Sequence, residues 1–444
     1  MLLVQALRLT PITHSQRNVV IAFSGSGGKT TAIFAAGRQL SPPVIVTATT
    51  HLHVNQTHLA DRHQTIVKAA DFSNLKVVPG GITLVTGPLE GERTRGLDAT
   101  LISWLHAYCL KNNLPLLIEA DGSRQRPLKA PAEHEPVIPE FADMVVVVFG
   151  LSGLGKPLTE AWVHRPEIFA RLSGLETGAK ITPAAAAQVL SHPEGGLKGI
   201  PANARRFALL NQADTPALQA KARRLAQAIL PPFQSVAIAS LEQEKVYALL
   251  EPAAGIVLAA GAAQRFGQPK QLLEWHGKPL VRRAAEAALA AGLSPVNVVT
   301  GAYAEQVSAA VQGLPVQIIS NPDWQNGQST SIQAGLRALP PETGAAIFLL
   351  ADQPGISANV LRSLVEHHSR EPGPILAPLV QGQRANPVLF DRFTFADLLA
   401  LRGDVGGRAI FDRYRPVYMP WHDPLLTLDI DTPEDWQRLQ EMEQ

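Results

Sequence analysis

The feature that most narrows the fold is a repeated alternation. Short runs rich in Val, Ile and Leu recur between alanine-rich stretches of helical spacing. The runs lie at 19–23, 44–47, 82–86, 115–119, 144–149, 206–210 and 235–239, then at 255–259, 296–300, 315–319, 346–350, 375–379 and 386–390. Continuous apolar runs suit strands buried on both faces, with the intervening helices as cover. The pattern therefore predicts an α/β fold with mostly parallel sheets. The stretch 279–295 shows the helical type: Leu280, Ala284, Ala287 and Leu289 fall on or near one side, and Gly292 is the stop. The alternation restarts near residue 250, where LLEPAAGIVLAAG brings a proline, a new strand and a new glycine turn. A chain of 444 residues exceeds one ordinary core, so two domains are expected, at 1–250 and 251–444. The segment 191–203, SHPEGGLKGIPAN, reads as a loop.

Charge and cysteine content exclude several classes. With 39 basic against 38 acidic residues, no basic excess marks a nucleic-acid or membrane surface. Affinity for phosphate must come from local placement of Lys, Arg and backbone N–H groups. The single cysteine, Cys109, makes no disulfide framework and no cysteine-rich metal site. Arg8 interrupts the apolar start, no small-residue cleavage site follows, and no apolar run is long enough to span a bilayer. The expected compartment is the cytoplasm.

The sharper chemistry lies in the second half. Residues 255–270 read GIVLAAGAAQRFGQPK: a buried strand, then small residues, then Arg265, Gly267 and Lys270. Small residues at a strand end let the backbone approach a ligand, and open α/β sheets bind ligands beyond their strands' carboxyl ends. Asp352 ends the apolar run FLLAD, where a carboxylate suits Mg²⁺. Asp429 and Asp431, in TLDIDTPED, are two apart and point the same way if extended. The following Thr432-Pro433-Glu434-Asp435 also suits a helix cap.

These pieces, with VVTGAYAEQV (298–307), NPDWQNGQSTSIQAGL (321–336), RANPVLF (384–390) and GDVGGRAI (403–410), resemble the molybdenum cofactor cytidylyltransferase family (MocA type) from residue 253 onward. The resemblance implies a Rossmann-like nucleotidyltransferase fold, Mg²⁺, CTP, and molybdopterin as the second substrate. It places Arg265 and Lys270 on the β- and γ-phosphates, and Asp352 with Asp429 and Asp431 at the metal. It puts Leu258, Ala259, Ala260, Gly261, Gly301, Asn321, Gly327 and Ser331 around the nucleoside, and Asn386 and Asp404 on the pterin side. Guanylyl-transferring relatives tend to carry two glycines where this chain has Ala260-Gly261. A methyl at Ala260 crowds a purine more than a pyrimidine, which favours CTP over GTP. Ala385 stands where the family pattern leads one to expect glycine. A GTP-dependent guanylyltransferase, a non-catalytic pterin chaperone and a sugar-1-phosphate nucleotidyltransferase are the rival readings.

The first half offers SGSGGKTT (24–31) directly after an apolar run. It is two residues shorter than the usual phosphate loop. Gly25, Gly27 and Gly28 form an N–H nest, Lys29 suits the β/γ-phosphates and Thr30 the magnesium. Glu119 and Asp121 follow another strand, where a P-loop protein holds its metal or orders a water. The Asn211-x-x-Asp214 step resembles the guanine-reading element of GTPases, with Gln212 where lysine is usual, and Ser240 follows a further strand. Histidines 51, 53 and 134 are either metal ligands or polar loop residues, and His164-Arg165 either meets an anion or does not. The stretches VTATTHLHV (46–54), IEADGSRQRPLKAPAEHEPVIP, GLSGLGKPL (150–158) and VHRPE (163–167) resemble the selenium-dependent hydroxylase accessory family (YqeC type). That implies a P-loop NTPase-like N-terminal domain binding ATP or GTP, and an apo molybdenum hydroxylase as client.

Overall fold

The computed structural model describes residues 1–9, 18–40, 43–262, 266 and 268–441. The chain divides into two compact units, Met1–Leu250 and Glu251–Gln444.

The first unit is built on a nine-stranded sheet. Its order is Lys245–Leu250, Ser235–Ser240, Arg205–Asn211, Met144–Gly150, Val20–Gly25, Leu116–Glu119, Val44–Ala48, Ile82–Thr86 and Arg62–Thr65. Every pairing is parallel except that of Lys245–Leu250 with its neighbour. The central strand explains the unbroken apolar runs. Val20 and Ala22 enter one hydrophobic cluster and Ile21 and Phe23 enter the other, so both faces are covered.

The second unit has an eight-stranded sheet ordered Gln317–Ser320, Val296–Thr300, Ala253–Ala259, Ala345–Leu350, Val388–Asp391, Ile375–Val380 and Gln383–Arg384, with Val417–Trp421 pairing Ile375–Val380. The first four strands run parallel, and Val388–Asp391 runs against them. Leu258 pairs with Leu350 in register, so the segments leaving these two strands emerge side by side.

Four strands of these two sheets lie outside the expected set. Arg62–Thr65 is a polar, largely exposed edge, and Gln383–Arg384 is only two residues long. Lys245–Leu250 follows Ser235–Ser240 closely enough to pair with it antiparallel, and Val417–Trp421 carries a proline and an exposed side. The expected strand at 386–390 begins at Val388, since Pro387 has no N–H for the ladder. The helix expected within 279–295 spans Leu280–Ala290. It closes by Gly292 N–H donating to Leu289 and Leu293 N–H to Ala288, with Gly292 at φ +82°. Of the loop expected at 191–203, Ser191 ends the helix Pro183–Ser191 and the rest carries no helix or strand.

Gly335, in the helix Gln328–Arg337, packs directly on the sheet. A Cβ there would stand 2.5 Å from Ile256 Cγ2 and 3.2 Å from Val299 Cγ2. Both neighbours are fully buried. Gly335→Ala is expected to destabilise the second unit by about 1–3 kcal/mol through overpacking. Chemical denaturation followed by a probe in that unit checks this; an unchanged or higher midpoint contradicts it.

Candidate functional sites

In the second unit the strand Ala253–Ala259 runs on into Ala260, Gly261 and Ala262. The amide side chain of Gln271 holds this segment from below, donating to Gly261 O at 3.1 Å and Ala259 O at 3.4 Å. Beside it, Ala351 N–H donates to Leu258 O and Asp352 follows. Burial pushes the Asp352 carboxyl up to about 6; the charge of Lys270 opposes the rise, and the negative charges of Asp429 and Asp431 add to it. Lys270 Nζ donates to Asp431 Oδ1 at 2.8 Å. Gln353 donates its amide N–H to Asp429 Oδ1.

These groups border a cavity of about 700 Å³ lined by Leu258 to Ala262, Lys270, Asp352, Asp431, Trp324 to Gln328, Ser331 and Asp404. Gly327 sits in the wall at φ +103°, where a Cβ would lie 2.4 Å from Asp404 N. Asp404 Oδ1 accepts Gln328 N–H at 3.1 Å. Asn321 and Gly301 stand behind the wall. Buried Asn321 donates to Thr330 Oγ1 and Ser331 Oγ, both at 2.9 Å. A Cβ at Gly301 would meet Ala260 O at 2.7 Å and Trp324 at 2.8 Å. Asn386 lines a second cavity of about 310 Å³ with Arg384, Arg408, Phe348, Phe390 and Phe411. The two cavities share Leu258, Leu350 and Gln328, so Asn386 and Asp404 stand on different sides of that divide. Arg265 and Gly267 lie outside the described residues.

Among the described residues, no group of three or more His, Cys, Asp or Glu is arranged to hold an ion by itself. The residues nevertheless fit Mg²⁺. Asp352 carries a destabilised carboxylate beside two further carboxylates, which a cation would relieve. Magnesium commonly takes one or two protein carboxylates and completes its shell with phosphates and water.

The first unit carries the short glycine loop. Gly25, Gly27 and Gly28 all have positive φ, at +91°, +85° and +115°. A Cβ on Gly25 would lie 2.2 Å from Val148 O, and one on Gly27 would lie 2.3 Å from Gly150 Cα. Only glycine fits either place. Gly28 caps the helix Lys29–Gln39. Lys29 is buried; its ammonium donates to Gly25 O at 2.7 Å and sits 3.3 Å from Asp121 Oδ1 and 4.0 Å from Glu119 Oε1. Thr30 Oγ1 donates to Glu119 Oε2 at 3.0 Å and accepts from Gln56. Burial pushes the Glu119 carboxyl up, against the pull of Lys29 and Thr30.

The charges continue inward. Asp121 Oδ2 accepts Gly25 N–H at 3.1 Å and Lys129 Nζ at 2.8 Å. Lys129 also donates to Glu135 at 2.9 Å, and Arg165 grips Glu135 through both terminal nitrogens at 2.8 and 3.2 Å. Burial opposes ionisation of Glu135, but Arg165 and Lys129 overcome it and hold the carboxyl at about 2. This network escaped the sequence reading. Its members fall within the quoted motifs, but spacing does not reveal partners 30 residues apart.

Asn211 braces the loop. Its amide N–H donates to Gly27 O at 2.8 Å and its Oδ1 accepts Leu241 N–H at 3.0 Å. Both polar ends are thus bound to backbone. Exposed Asp214 accepts from Ser240 Oγ at 2.6 Å. Of the step's neighbours, Gln212 is the one that reaches the cavity of about 840 Å³ above the loop. His51 and His53 line that cavity opposite Glu90 and Glu92, 3.8 and 3.7 Å away, while His134 is exposed elsewhere.

Both halves thus present a glycine-bearing strand end beside acidic groups on a neighbouring strand, and comparison with known proteins gives each half its class. Residues 255–417 match the MobA-like NTP transferase domain, and residues 21–167 match the YqeC protein family. The chain is 31% identical over 208 residues to the uncharacterized protein YqeC of Escherichia coli (strain K12), covering 44% of this chain and 77% of that one. It is 34% identical over 197 residues to nicotine blue oxidoreductase of Paenarthrobacter nicotinovorans, covering 42% of this chain and 95% of that one. A solved nucleotidyl transferase from Methanothermobacter thermautotroptrophicus is 24% identical, covers 43% of this chain and 97% of its own, and has a TM-score of 0.39. The chain belongs to the YqeC family through its N-terminal half, fused to a MobA-like NTP transferase domain. No helix among the described residues is long and apolar enough to cross a membrane.

The Glu135 carboxyl gives a pH test. Its folded-state pKa lies below the ordinary carboxylate value, so its pairing stabilises the fold above pH 4.5 and is lost as pH falls towards 2. Glu135→Gln is expected to cost about 3 kcal/mol at pH 7, leaving Lys129 and Arg165 short of a counter-charge. The gap to the parent should narrow steadily below pH 4.5. Thermal melts across pH 3.5–7 check it; a pH-independent gap contradicts the pairing as the source.

Proposed function

We propose that the second domain transfers CMP from CTP to the terminal phosphate of Mo-molybdopterin, releasing pyrophosphate. The observation that carries this reading is the approach of Lys270, Asp352 and Asp431 to the Leu258–Ala262 segment in one cavity. An acceptor phosphate oxygen forms a bond to the α-phosphorus while the bond to the α–β bridging oxygen breaks, and the electron pair leaves with pyrophosphate. Such transfers need positioning and charge neutralisation more than covalent help.

Lys270 supplies positive charge to the departing phosphates, with Arg265 beside it in sequence. Its present partner Asp431 is 72% exposed, and pairs of that kind are worth about 0–1 kcal/mol. The ammonium is therefore free to exchange that carboxylate for a triphosphate. Asp352, with Asp431 or Asp429, would hold Mg²⁺, which when bound neutralises the phosphates. Buried Ala260 narrows the base side and favours cytosine over guanine. The adjoining cavity offers the apolar rings of Phe348, Phe390 and Phe411 to a pterin, and Arg384 and Arg408 to its phosphate. Burial, and then the charge of Arg408, lowers the pKa of Arg384, as expected for two cations facing a space that an anion would fill.

The first domain binds ATP or GTP on its short phosphate loop. Gly27 and Gly28 give backbone N–H groups, Gly25 N–H being held by Asp121; Lys29 meets the phosphates, and Thr30 with Glu119 or Asp121 would hold Mg²⁺. The fusion supports a role in preparing the cofactor of a molybdenum hydroxylase, with selenium or sulfur delivery as the first domain's contribution.

The test is pyrophosphate release from each nucleoside triphosphate with Mo-molybdopterin present. CTP should be turned over, and Asp352→Asn should lower kcat by about 100-fold or more, on the scale of a lost electrostatic stabiliser. Lys270→Ala should lower kcat/KM by at least ~10-fold, on the scale of a charge-assisted hydrogen bond lost in the transition state. Release with GTP alone would overturn the base assignment. No release with any triphosphate would overturn the transferase reading.

A further inference from the structure

We propose that the first domain binds a second, anionic small molecule, carrying a phosphate or carboxylate, beside the triphosphate in the same cavity. The inference rests on the nucleotide-binding reading of the glycine loop, and adds a second substrate to it.

The argument starts from charge. The wall facing the glycine loop is the segment Gly122 to Pro127, which crosses the loop's mouth: Pro127 O accepts from Ser26 Oγ at 2.9 Å and from Gly150 N–H at 3.1 Å. That wall brings Arg124 and Arg126 to the cavity, and Arg93, His164 and Arg165 border it too. Against four arginines and Lys29, the lining holds only Glu119 and Glu135 as acids. Glu119 is engaged by Thr30, and Glu135 by Lys129 and Arg165. The side chains of Arg124 and Arg126 have no hydrogen-bond or ion-pair partner among the described residues. The surplus is concentrated here, since the whole chain carries only +1.

Backbone conformation gives an independent sign. Nine non-glycine residues among those described have positive φ, and four of them, Arg124, Gln125, Arg165 and Gln212, line this one cavity. Such conformations cost on the order of 1 kcal/mol each and concentrate where a binding surface is shaped. His164 reports the same field: burial first, and then the charges of Arg165, Lys129 and Arg124, bring its pKa down to about 4. Neutral at pH 7, it offers the anion a hydrogen bond, not a charge.

Topology starts this wall on the side away from the nucleoside, and only its last residue, Pro127, reaches Gly150 beside Gln212. Asn211 and Gln212 end a strand two places to one side of Val20–Gly25, while the arginine segment follows Leu116–Glu119, the neighbour on the other side. A base lying toward Gln212 leaves the triphosphate running along the loop, and its far end faces the arginines. Lys29 and the loop N–H groups already serve the phosphates of the nucleotide. The arginine wall is left for another anion.

The test uses the full chain, with inorganic phosphate as the probe and saturating Mg²⁺ and a non-hydrolysable ATP analogue. Trp162 lines the cavity, so its fluorescence, isolated by subtracting the Trp162→Phe signal, reports occupancy there. Phosphate should still bind to the analogue-loaded protein, and Arg124→Ala/Arg126→Ala should weaken phosphate at least 10-fold while changing analogue affinity less than 3-fold. Phosphate that competes with the analogue, or a double variant that weakens both equally, would mean the arginines hold the triphosphate itself and would overturn the proposal. Absence of analogue binding with phosphate binding intact would instead remove the nucleotide reading and, with it, the adjacent-substrate assignment. Circular dichroism confirms that the double variant is folded; Arg124→Lys/Arg126→Lys should restore part of the phosphate affinity.

Discussion

In each half, one strand buried on both faces has room for polar side chains only where it ends. That constraint places the chemistry. Val20–Gly25 and Ala253–Ala259 are the central strands, flanked by parallel neighbours on both sides. Their side chains are committed to two opposed cores. Functional groups therefore gather at the carboxyl edge, where the neighbouring strand delivers its own acid: Glu119 and Asp121 beside Gly25, and Asp352 beside Leu258. Because the register is fixed by packing, the distance between cradle and carboxylate is fixed too.

The same constraint explains how Lys29 stays buried. An isolated ammonium at that depth would be costly. Gly25 O, Asp121 and Glu119 surround it, and the negative charge is then balanced by Lys129 and Arg165 through Glu135. The chain of alternating charges runs from the glycine loop to the far wall of the cavity. A truncation at any link leaves a neighbour uncompensated, and such losses are larger than the net worth of the pair. The second domain is arranged differently. Lys270 meets one highly exposed carboxylate. Its pairing is loose, and water already competes for it.

Much of this was legible in the sequence, and the exceptions have identifiable causes. The buried strands announced themselves because continuous Val, Ile and Leu have few other uses. Arg62–Thr65 did not, since an edge strand needs no apolar run. The glycines at 25, 27 and 28 were readable because each stands where a Cβ has no space or where φ is positive. Asn211 read as a base contact from its Asn-x-x-Asp spacing, yet its amide is spent on Gly27 O and Leu241 N–H. Spacing specifies that a polar group follows a strand, not which way it turns. Likewise, Asn386 and Asp404 came from motifs that sequence order cannot separate, and only the packing of Gly327 against Asp404 assigns the latter to the larger cavity.

The two halves also differ in how much of their site is already paired. In the first, Lys29 is held by Gly25 O, Asp121 and Glu119, and Thr30 by Glu119. An anion entering there would have to replace existing contacts, exchanging one set of charge-assisted bonds for another and gaining less than the bonds it forms. In the second, Asp352 is held near pH 6 by burial among other carboxylates, a strain that an arriving cation relieves. The first site is therefore organised before its ligand arrives, and the second is completed by it. Metal and nucleotide should bind the second domain cooperatively, because each removes a repulsion the other would otherwise meet.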